Sequence, residues 1–503
     1  MKSLKAFTLS LATAAIAMAS AQAAPTVIHI VGSTAFRTGT SIAIIDTLAG
    51  TTAAGGAGSG SVFAASDGSS LAGASRQVFA NGTIGTNGTA TVIIETSWTG
   101  SLAGVVDLTA QSSAATFLDA VNNATVQASV NGGQLNTSTD LYTSETPAGG
   151  VALADANNTT TATEIDLAMS DSVKSTIAKE LATGTLSAPI GSFTTISALA
   201  TAAGSSVITD AGTSNFAGGE GDVAIAPFVW LVGHAPTGST TTNYTAPSNI
   251  NQQIARQLFT VGSVPQADFT GGNGTTDLAN YFYLVGRNED SGTRIGSLSE
   301  SQFGVTANTI QYQVGDDSTT ANPTLTFPAN SALNTEPNIS WSPAGHSGYS
   351  SGGNVASALE ITPAATVTFT SGKASKNSAF SAFIGYTGLT DSASAVGGGA
   401  TVLSYNGVAY SPAAVQDGSY TFWVYEHAYR VTNASGTILT TVNNIADNIF
   451  ENDADAIYSA TSGVSHAENI NTGVYTSGSA GLFDDGFLNV TRSTTEGGPV
   501  NHK

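Results

Sequence analysis

The heptapeptide Arg-Asn-Glu-Asp-Ser-Gly-Thr that begins at Arg287 has the residue types of an oxyanion-binding loop. It follows an apolar run, 281–285, that predicts a buried strand, and its Ser-Gly-Thr end is typical of a helix start. The guanidinium offers paired N–H donors, Ser291 and Thr293 add hydroxyls, and Gly292 lets the backbone approach a bound group. Because a helix N-terminus also has free N–H groups and a partial positive charge, the segment predicts a site for an oxyanion.

Three further turns that follow predicted strands contain side chains able to contribute to one pocket. Ser33, Thr34 and Ala35 follow the first apolar run, Ser101 follows the second and Asp171 follows the third. In a parallel sheet the carboxyl ends of the strands meet at one edge, so these turns are expected to lie close together. The alternative is that the hydroxyls and the carboxylate only cap the helices that follow them.

The elements that would position these turns are strands alternating with helices. Continuous apolar runs bounded by small residues are typical of strands buried on both faces. Four such runs are 27–31, 92–94, 165–169 and 223–232. Between the runs lie helical stripes, such as Ile250, Ile254 and Leu258. This alternation predicts an α/β fold with largely parallel sheets.

Composition excludes several classes of function. The chain has 503 residues, a formal net charge of -21 and only 14 Lys and Arg, so it lacks the basic field that nucleic acid requires. It has no cysteine, which excludes disulfides, thiolate metal sites and cysteine catalysis. The six histidines are dispersed without metal-ligand spacing, and we expect neither a metal nor another cofactor.

The first 23 residues have the pattern of a cleaved signal peptide. Lys2 and Lys5 precede an apolar stretch, and Ala-Gln-Ala at 21–23 fits the small-residue cleavage rule. The apolar stretch is too short to span a bilayer, and no later one reaches about 18 residues. The sequence therefore predicts a periplasmic or extracellular protein without a lipid anchor or membrane insertion.

Taken in order, the turns resemble the ligand-binding segments of the phosphate-binding proteins of ABC transporters, a branch of the type II periplasmic binding proteins. The similar segments are 32–36, 100–104, 166–171 and 287–293. The resemblance continues at 221–228, 345–355, 384–389 and 404–408, the last together with 418–420 and Trp423. Three residues depart from the family pattern. Arg37 stands near where the family often has proline, Glu289 replaces the usual aspartate, and a second cation, Arg294, follows Thr293.

The resemblance implies a two-lobed periplasmic-binding-protein type II fold, each lobe having a mixed, mostly parallel sheet with flanking helices. Lobe I would comprise 24–227 and 387–503, and lobe II would comprise 228–386. Asn-, Thr-, Ala- and Ser-rich stretches predict inserted surface elements near 109–163 and 305–345. The tail beyond about residue 430 has few strong signals, and we expect surface elements there too.

The resemblance also implies that phosphate is held by neutral donors and one guanidinium. The implied ligands are Ser33, Thr34, Ala35, Ser101, Asp171, Arg287, Ser291, Gly292 and Thr293. Glu289 is expected to hold the guanidinium in place, while Arg294 faces either solvent or the ligand. Asp171 would select the ligand, because hydrogen phosphate can donate a hydrogen bond to a carboxylate and sulfate at neutral pH cannot.

The sequence therefore predicts a monomeric solute-binding protein that captures inorganic phosphate in an interlobe cleft and delivers it to the membrane permease of an ABC transporter. No catalysis is expected. Two other classes stay open: a cell-surface or extracellular structural protein that reuses the fold for association, and an exported phosphatase. The phosphatase is disfavoured because the sequence has no metal constellation.

Overall fold

The computed structural model describes most of the chain between residues 24 and 502. The described residues are 24–50, 60–68, 71, 74–111, 115–135, 159–162, 164–182, 196–203, 207–213, 221–236, 238–307, 309–314, 324–326, 348–362, 368–369, 381–450, 490–492 and 496–502. The expected signal peptide, 1–23, lies outside them. None of the helices in these ranges combines the length and the apolar character needed to cross a bilayer.

Strands and helices alternate along the chain. The strands are β1 Thr26–Gly32, β2 Phe63–Ser66, β3 Arg76–Ala80, β4 Val92–Ser97, β5 Thr116–Leu118, β6 Thr159–Thr161, β7 Leu167–Ser170, β8 Ile208–Asp210, β9 Asp222–Val232, β10 Asn249–Ile250, β11 Ser263–Pro265, β12 Tyr281–Val285, β13 Gln313–Val314, β14 Thr324–Thr326, β15 Thr368–Phe369, β16 Ser381–Gly388, β17 Thr401–Val402, β18 Ser404–Tyr405, β19 Trp423–Val431, β20 Val490–Arg492 and β21 Val500–His502. The helices are α1 Arg37–Ala49, α2 Ser101–Ala110, α3 Ala124–Gly132, α4 Lys174–Ala182, α5 Ile196–Ala203, α6 Gln252–Val261, α7 Ala267–Thr270, α8 Thr275–Ala279, α9 Gly292–Glu300, α10 Gly352–Leu359, α11 Leu389–Gly397, α12 Pro412–Gln416 and α13 Gly436–Asn448.

Twelve of the described strands form one mixed sheet. Its order is β11-β12-β16-β9-β19-β7-β1-β4-β3-β2, with β17 paired to β9 and β8 paired to β19. Parallel pairs lie in the middle of each half, where β1 pairs with β4 and β7, and β12 pairs with β16. The long strands β9 and β19 pair antiparallel and join the halves. The expected α/β class, with a mixed sheet and flanking helices, is confirmed. The expectation of largely parallel pairing is wrong for this sheet, because its antiparallel pairs, among them β9 with β16 and β19, outnumber its parallel ones.

The apolar runs become buried strands, as their composition predicts. All eleven residues of β9 are buried. Trp230 in its middle packs against Phe259, Tyr386 and Phe422 at ring-centroid distances of 5.8, 5.2 and 6.1 Å. A single hydrophobic cluster contains residues of β1, β9, β12 and β16, so the two halves of the sheet share apolar core.

The two regions predicted as insertions contain paired strands where the structure describes them. In the first, β5 pairs antiparallel with β6, and Phe117 and Val126 are fully buried. The Asn123 side chain accepts hydrogen bonds from the first turn of α3. In the second region, β13 pairs antiparallel with β14, and β14 also pairs with β15, which lies further along the chain. Most of the Thr- and Asn-rich residues between these elements lie outside the described ranges.

The C-terminal tail is also more embedded than its weak sequence signals indicate. Helix α13 packs on α1, where Asn448 Nδ2 donates to Thr47 Oγ1 at 2.9 Å. Arg492 on β20 is buried, pairs with Glu300 at 3.1 Å and lies over the Trp423 ring at 4.5 Å. These contacts join residues far apart in the chain, so local patterns do not reveal them.

Candidate functional site

The loop after β1 is tied to the end of β7. Gly32 has a φ of 124°, and a Cβ there would lie 2.0 Å from the carbonyl oxygen of Met169, so only glycine fits. The N–H of Ser33 donates to the same carbonyl at 2.8 Å. The hydroxyl oxygen of Ser33 accepts from the N–H of Phe36 at 3.1 Å, which is the turn-capping role that the sequence left open.

In the described part of the chain, the next two residues of this loop have hydrogen-bond donors that are not used. Among the described residues, the N–H groups of Thr34 and Ala35 and the Thr34 hydroxyl have no hydrogen-bond acceptor. The helix that follows, α1, has no side-chain cap at Phe36. Ala35 lies against the end of β16, where its Cβ is 3.6 Å from the place that a Cβ of Gly388 would occupy. The loop therefore presents donors close to the strand that returns from the other half of the sheet.

The loop after β4 joins β1 to the segment after β12. The N–H of Gly100 donates to the carbonyl of Gly32 at 2.8 Å, and that of Leu102 donates to the carbonyl of Asp290 at 3.0 Å. Gly100 has a φ of 101°, and a Cβ there would lie 2.5 Å from the Asp290 carbonyl oxygen. This close approach fixes the start of α2, where Ser101 is the first residue, against the loop that precedes α9.

Asp171 is the point where three of these segments meet. Its Oδ1 accepts from the Ser101 hydroxyl at 2.5 Å, and its Oδ2 accepts from the Thr293 hydroxyl at 3.0 Å. Its N–H donates to the Ser101 oxygen at 3.1 Å. A Cβ on Gly292 would lie 2.5 Å from Ser101 Oγ and 2.9 Å from Asp171 Cγ, so glycine permits the contact. Within the described ranges this carboxylate caps no helix, contrary to the alternative raised by its sequence position.

The start of α9 combines a helix cap with unused donors. The Ser291 oxygen accepts from the N–H of Arg294 at 3.3 Å, so Ser291 caps the helix as the alternative interpretation predicted. Its hydroxyl hydrogen is still available, since it donates to no described residue. The N–H groups of Gly292 and Thr293, in the first turn, also have no acceptor in the described part of the chain. Donors of this kind at a helix start favour an anion.

Arg287 is 2% exposed and is held by backbone carbonyls. Its Nε donates to the carbonyl of Tyr349 at 3.2 Å and its Nη2 to that of Ser350 at 3.0 Å. These carbonyls hold the guanidinium in place, and the supporting role expected for Glu289 stays a prediction. The three remaining N–H groups of the guanidinium have no acceptor among the described residues. Burial lowers the pKa of Arg287, an effect that the nearby carboxyl of Asp391 and then that of Asp171 oppose.

A buried layer behind Arg287 fixes its backbone. Arg294 Nη1 and Gln311 Nε2 donate to the Arg287 carbonyl at 3.4 and 3.0 Å. The Tyr386 hydroxyl donates to Gln311 Oε1 at 2.9 Å, and burial raises the pKa of Tyr386 to about 12. Arg294 also donates to Thr309 Oγ1 at 3.0 Å. The sequence analysis expected Arg294 to face either solvent or the ligand. The structure instead buries its side chain behind Arg287, where it supports the Arg287 backbone.

Two charged residues that the sequence analysis did not assign to the site lie beside it. Arg37 is the first residue of α1, and Asp391 lies in the first turn of α11. Burial raises the pKa of Asp391, while Arg37 and Arg287 lower it. A Cβ on Gly352, the first residue of α10, would lie 1.9 Å from Asp391 Oδ2. The sequence signal that could have assigned Arg37 to the site was its departure from the family pattern. Asp391 had no such signal, because it lies two residues beyond the matched segment 384–389.

Other acids near the site are pushed toward their neutral form. Burial, together with Glu289 and Asp107, raises the pKa of Asp290 to about 7. Burial also raises the pKa of Glu426 on β19 well above its ordinary value, and the nearby Asp171 adds to the effect. Neither carboxyl oxygen of Glu426 has a hydrogen-bond partner in the described part of the chain. A neutral Glu426 keeps a second negative charge away from Asp171.

Comparison with known proteins finds no matching family model and no matching curated protein. Solved structures do match over most of the chain. A Clostridium perfringens protein solved with bound phosphate is 12% identical, covers 86% of this chain and 97% of its own, and has a TM-score of 0.37. PstS from Borrelia burgdorferi is 10% identical, with coverages of 87% and 97% and a TM-score of 0.33. An ABC-type phosphate transport receptor from Vibrio cholerae is 10% identical, with coverages of 84% and 93% and a TM-score of 0.33. At such identities and TM-scores these neighbours do not identify the function of this chain, which has to be argued from its own site.

Proposed function

We propose that this protein binds inorganic phosphate between the loops that follow β1, β4, β7 and β12. The observation that supports this most directly is the set of unused donors around Asp171. The amides of Thr34, Ala35, Gly292 and Thr293 and part of the Arg287 guanidinium have no acceptor among the described residues. Buried donors without acceptors are costly, and a tetrahedral oxyanion would satisfy them together.

Binding would exchange one set of hydrogen bonds for another. In the ligand-free protein the hydroxyls of Ser101 and Thr293 donate to the carboxylate of Asp171. Phosphate oxygens would accept from these hydroxyls, from Ser33 and Ser291, and from the free amides. The guanidinium of Arg287 would supply a full positive charge in direct contact. The lone pairs then released on Asp171 would accept the ligand's own O–H, which sulfate does not have.

The same proposal includes a role for the protein as a whole. The lobes would be 24–227 with 387–503, and 228–386, joined through β9 and β16 and able to close on the ligand. The protein would be exported, by means of a signal peptide at 1–23, to the periplasm or the extracellular space. It would act there as a monomer and deliver phosphate to the permease of an ABC transporter. A binding role of this kind requires no catalysis.

The test is a calorimetric titration of the mature protein with phosphate, sulfate, arsenate and molybdate, repeated with Arg287→Ala. We expect phosphate binding that the substitution reduces by at least about a hundredfold, because a charge-assisted pair of hydrogen bonds is lost. Arg256→Ala is the matched control, since Arg256 is an exposed residue of α6. Phosphate binding that survives Arg287→Ala unchanged contradicts the site. Self-association without oxyanion binding would favour the structural class, and turnover of a phosphomonoester would favour the enzyme.

A further inference from the structure

Arg37, Asp391 and Arg287 face one another across the edge of the candidate site. Arg37 begins α1 two residues after Ala35, which lies against Gly388 at the end of β16. Three residues beyond Gly388 is Asp391, whose Oδ2 lies against the start of α10 at Gly352. The residues just before that start, Tyr349 and Ser350, hold the Arg287 guanidinium through their carbonyls. The three charged side chains are therefore brought together by three separate loops.

These three groups come together without pairing. Within the described ranges, no carboxylate lies within 4.0 Å of either guanidinium. The nearest hydrogen-bond partner of Asp391 is the Thr387 hydroxyl, at 3.4 Å from Oδ2. The Nε of Arg37 is buried, and the Arg37 side chain has no acceptor among the described residues. Arg37 is half-buried, and a buried guanidinium nitrogen with neither an ion pair nor a hydrogen bond is unfavourable in a folded protein unless something binds to it.

We propose that Arg37 is a second guanidinium of the oxyanion site and that Asp391 is a second hydrogen-bond acceptor, so that an oxyanion with two O–H groups, such as dihydrogen phosphate, donates one to Asp171 and the other to Asp391. This inference rests on the proposed function, because it takes the anion between the β1 and β12 loops as given. A ligand in the gap between the three groups has to accept from both arginines and donate to a carboxylate. Protonated tetrahedral oxyanions, phosphate and arsenate, have both kinds of group. Sulfate can accept but cannot donate.

The charges of the site support this arrangement. A site with Arg287 and Asp171 alone has one positive and one negative group, whereas Arg37 and Asp391 add one of each. The added pair strengthens binding through Arg37 and rejects unprotonated anions through Asp391 without changing the net charge. Arg37 has a cost in the ligand-free protein, because burial lowers the pKa of its guanidinium and no acceptor offsets the loss of water. Residues that destabilise the free protein and serve the bound one are typical of binding sites.

The test compares four variants by calorimetry with phosphate and sulfate, together with the melting temperature of each ligand-free variant. Arg37→Gln should weaken phosphate binding at least about tenfold and leave the ligand-free melting temperature unchanged or higher. Asp391→Asn should reduce the ratio of phosphate to sulfate affinity about tenfold. Arg256→Gln, at an exposed residue whose Nε donates to the Ser301 carbonyl at 3.2 Å, should leave the phosphate affinity and the ratio of phosphate to sulfate affinity unchanged. Arg287→Ala reports on the site itself.

The outcomes separate the inference from the proposed function. If the unmutated protein binds phosphate, Arg287→Ala abolishes binding and Arg37→Gln stays within about twofold of the unmutated affinity, the inference is wrong and the proposed function stands. A ligand-free melting temperature that falls with Arg37→Gln, at unchanged affinity, assigns Arg37 a structural role and also overturns it. If the unmutated protein binds no oxyanion, the proposed function fails and the inference fails with it.

Discussion

At the scale of single residues, Asp171 acts as the internal acceptor for the donors of its own site. Both of its oxygens are engaged by hydroxyls from separate loops. A ligand has to compete with this carboxylate, so the free protein keeps the hydroxyls of Ser101 and Thr293 satisfied and prearranged. Such prearrangement limits the side-chain ordering that binding requires. The same carboxylate then faces the bound anion, where only a protonated oxyanion can give it a hydrogen bond.

We therefore expect Asp171→Asn to change selectivity more than affinity. Asparagine can donate a hydrogen bond through its amide, so sulfate gains a hydrogen bond at the position where the Asp171 carboxylate repels it. The ratio of phosphate to sulfate affinity should fall about tenfold or more, the usual value of one hydrogen bond to a charged group. Competition calorimetry measures this ratio. Asp210→Asn, which removes a carboxylate paired with Lys174 away from the site, is the control. An unchanged ratio would assign Asp171 a purely structural role.

At the scale of elements, glycines allow α2 and α9 to start against one another. Gly292 is the first residue of α9, and a Cβ there would press on Ser101 and Asp171 at 2.5 and 2.9 Å. Gly353, in the first turn of α10, is a helical glycine with room, since a Cβ there would have its nearest atom at 3.7 Å. The two positions share a secondary structure and differ in the space around the α-carbon.

Gly292→Ala should lower the free energy of unfolding by about 1–3 kcal/mol and weaken phosphate binding, because the added methyl overpacks the contact with Asp171. Gly353→Ala should raise the free energy of unfolding by about 0.5–1 kcal/mol, because alanine loses less conformational entropy in a helix. Chemical denaturation monitored by circular dichroism measures both. Equal effects of the two substitutions would show that the space around Gly292, between α2 and α9, is large enough for a methyl group.

The strand β20 is a second element whose role depends on one residue. The Arg492 Nη1 pairs with Glu300 Oε2 at 3.1 Å and donates to the Trp423 carbonyl at 2.8 Å. Burial raises the pKa of Glu300, while Arg492 lowers it. Arg492→Ala should cost about 3 kcal/mol of unfolding free energy, because it leaves a buried carboxylate unpaired. Arg492→Met with Glu300→Gln should cost clearly less. If the double variant loses as much as the single one, packing on Trp423 is the main contribution of Arg492.

At the scale of the whole molecule, the sequence predicts what depends on neighbouring residues and misses what depends on distant ones. The strand at 223–232 and the turns after β1, β4, β7 and β12 could be predicted, because apolar runs and small residues are local signals. The place of Asp391 could not, since it is set by the return of the chain through β16. The same is true of Arg492, whose partners Glu300 and Trp423 lie far along the chain.

The stability of the whole molecule is expected to depend on pH, because many of its carboxyl groups are buried. Burial raises the pKa values of a set of carboxyls above their ordinary range. They are Asp166, Glu180, Asp290, Glu300, Asp391, Glu426 and Glu496. The pKa of Glu180 rises from 4.5 to about 8. Between these two values the folded protein binds more protons than the unfolded chain, so stability falls as the pH rises through this interval. The net charge of -21 acts in the same direction, since repulsion grows as acids ionise.

We expect the free energy of unfolding to be higher near pH 5 than near pH 8, and Glu426→Gln to reduce the slope between them. Glutamine keeps the shape of the side chain but has no proton to lose, so the ionisation of the unfolded chain no longer competes with folding at this position. Urea denaturation at a series of pH values measures the slope. Glu360→Gln, at an exposed residue, should leave it unchanged. Parallel curves for the unmutated protein and Glu426→Gln would mean that Glu426 is ionised in the folded state, beside Asp171.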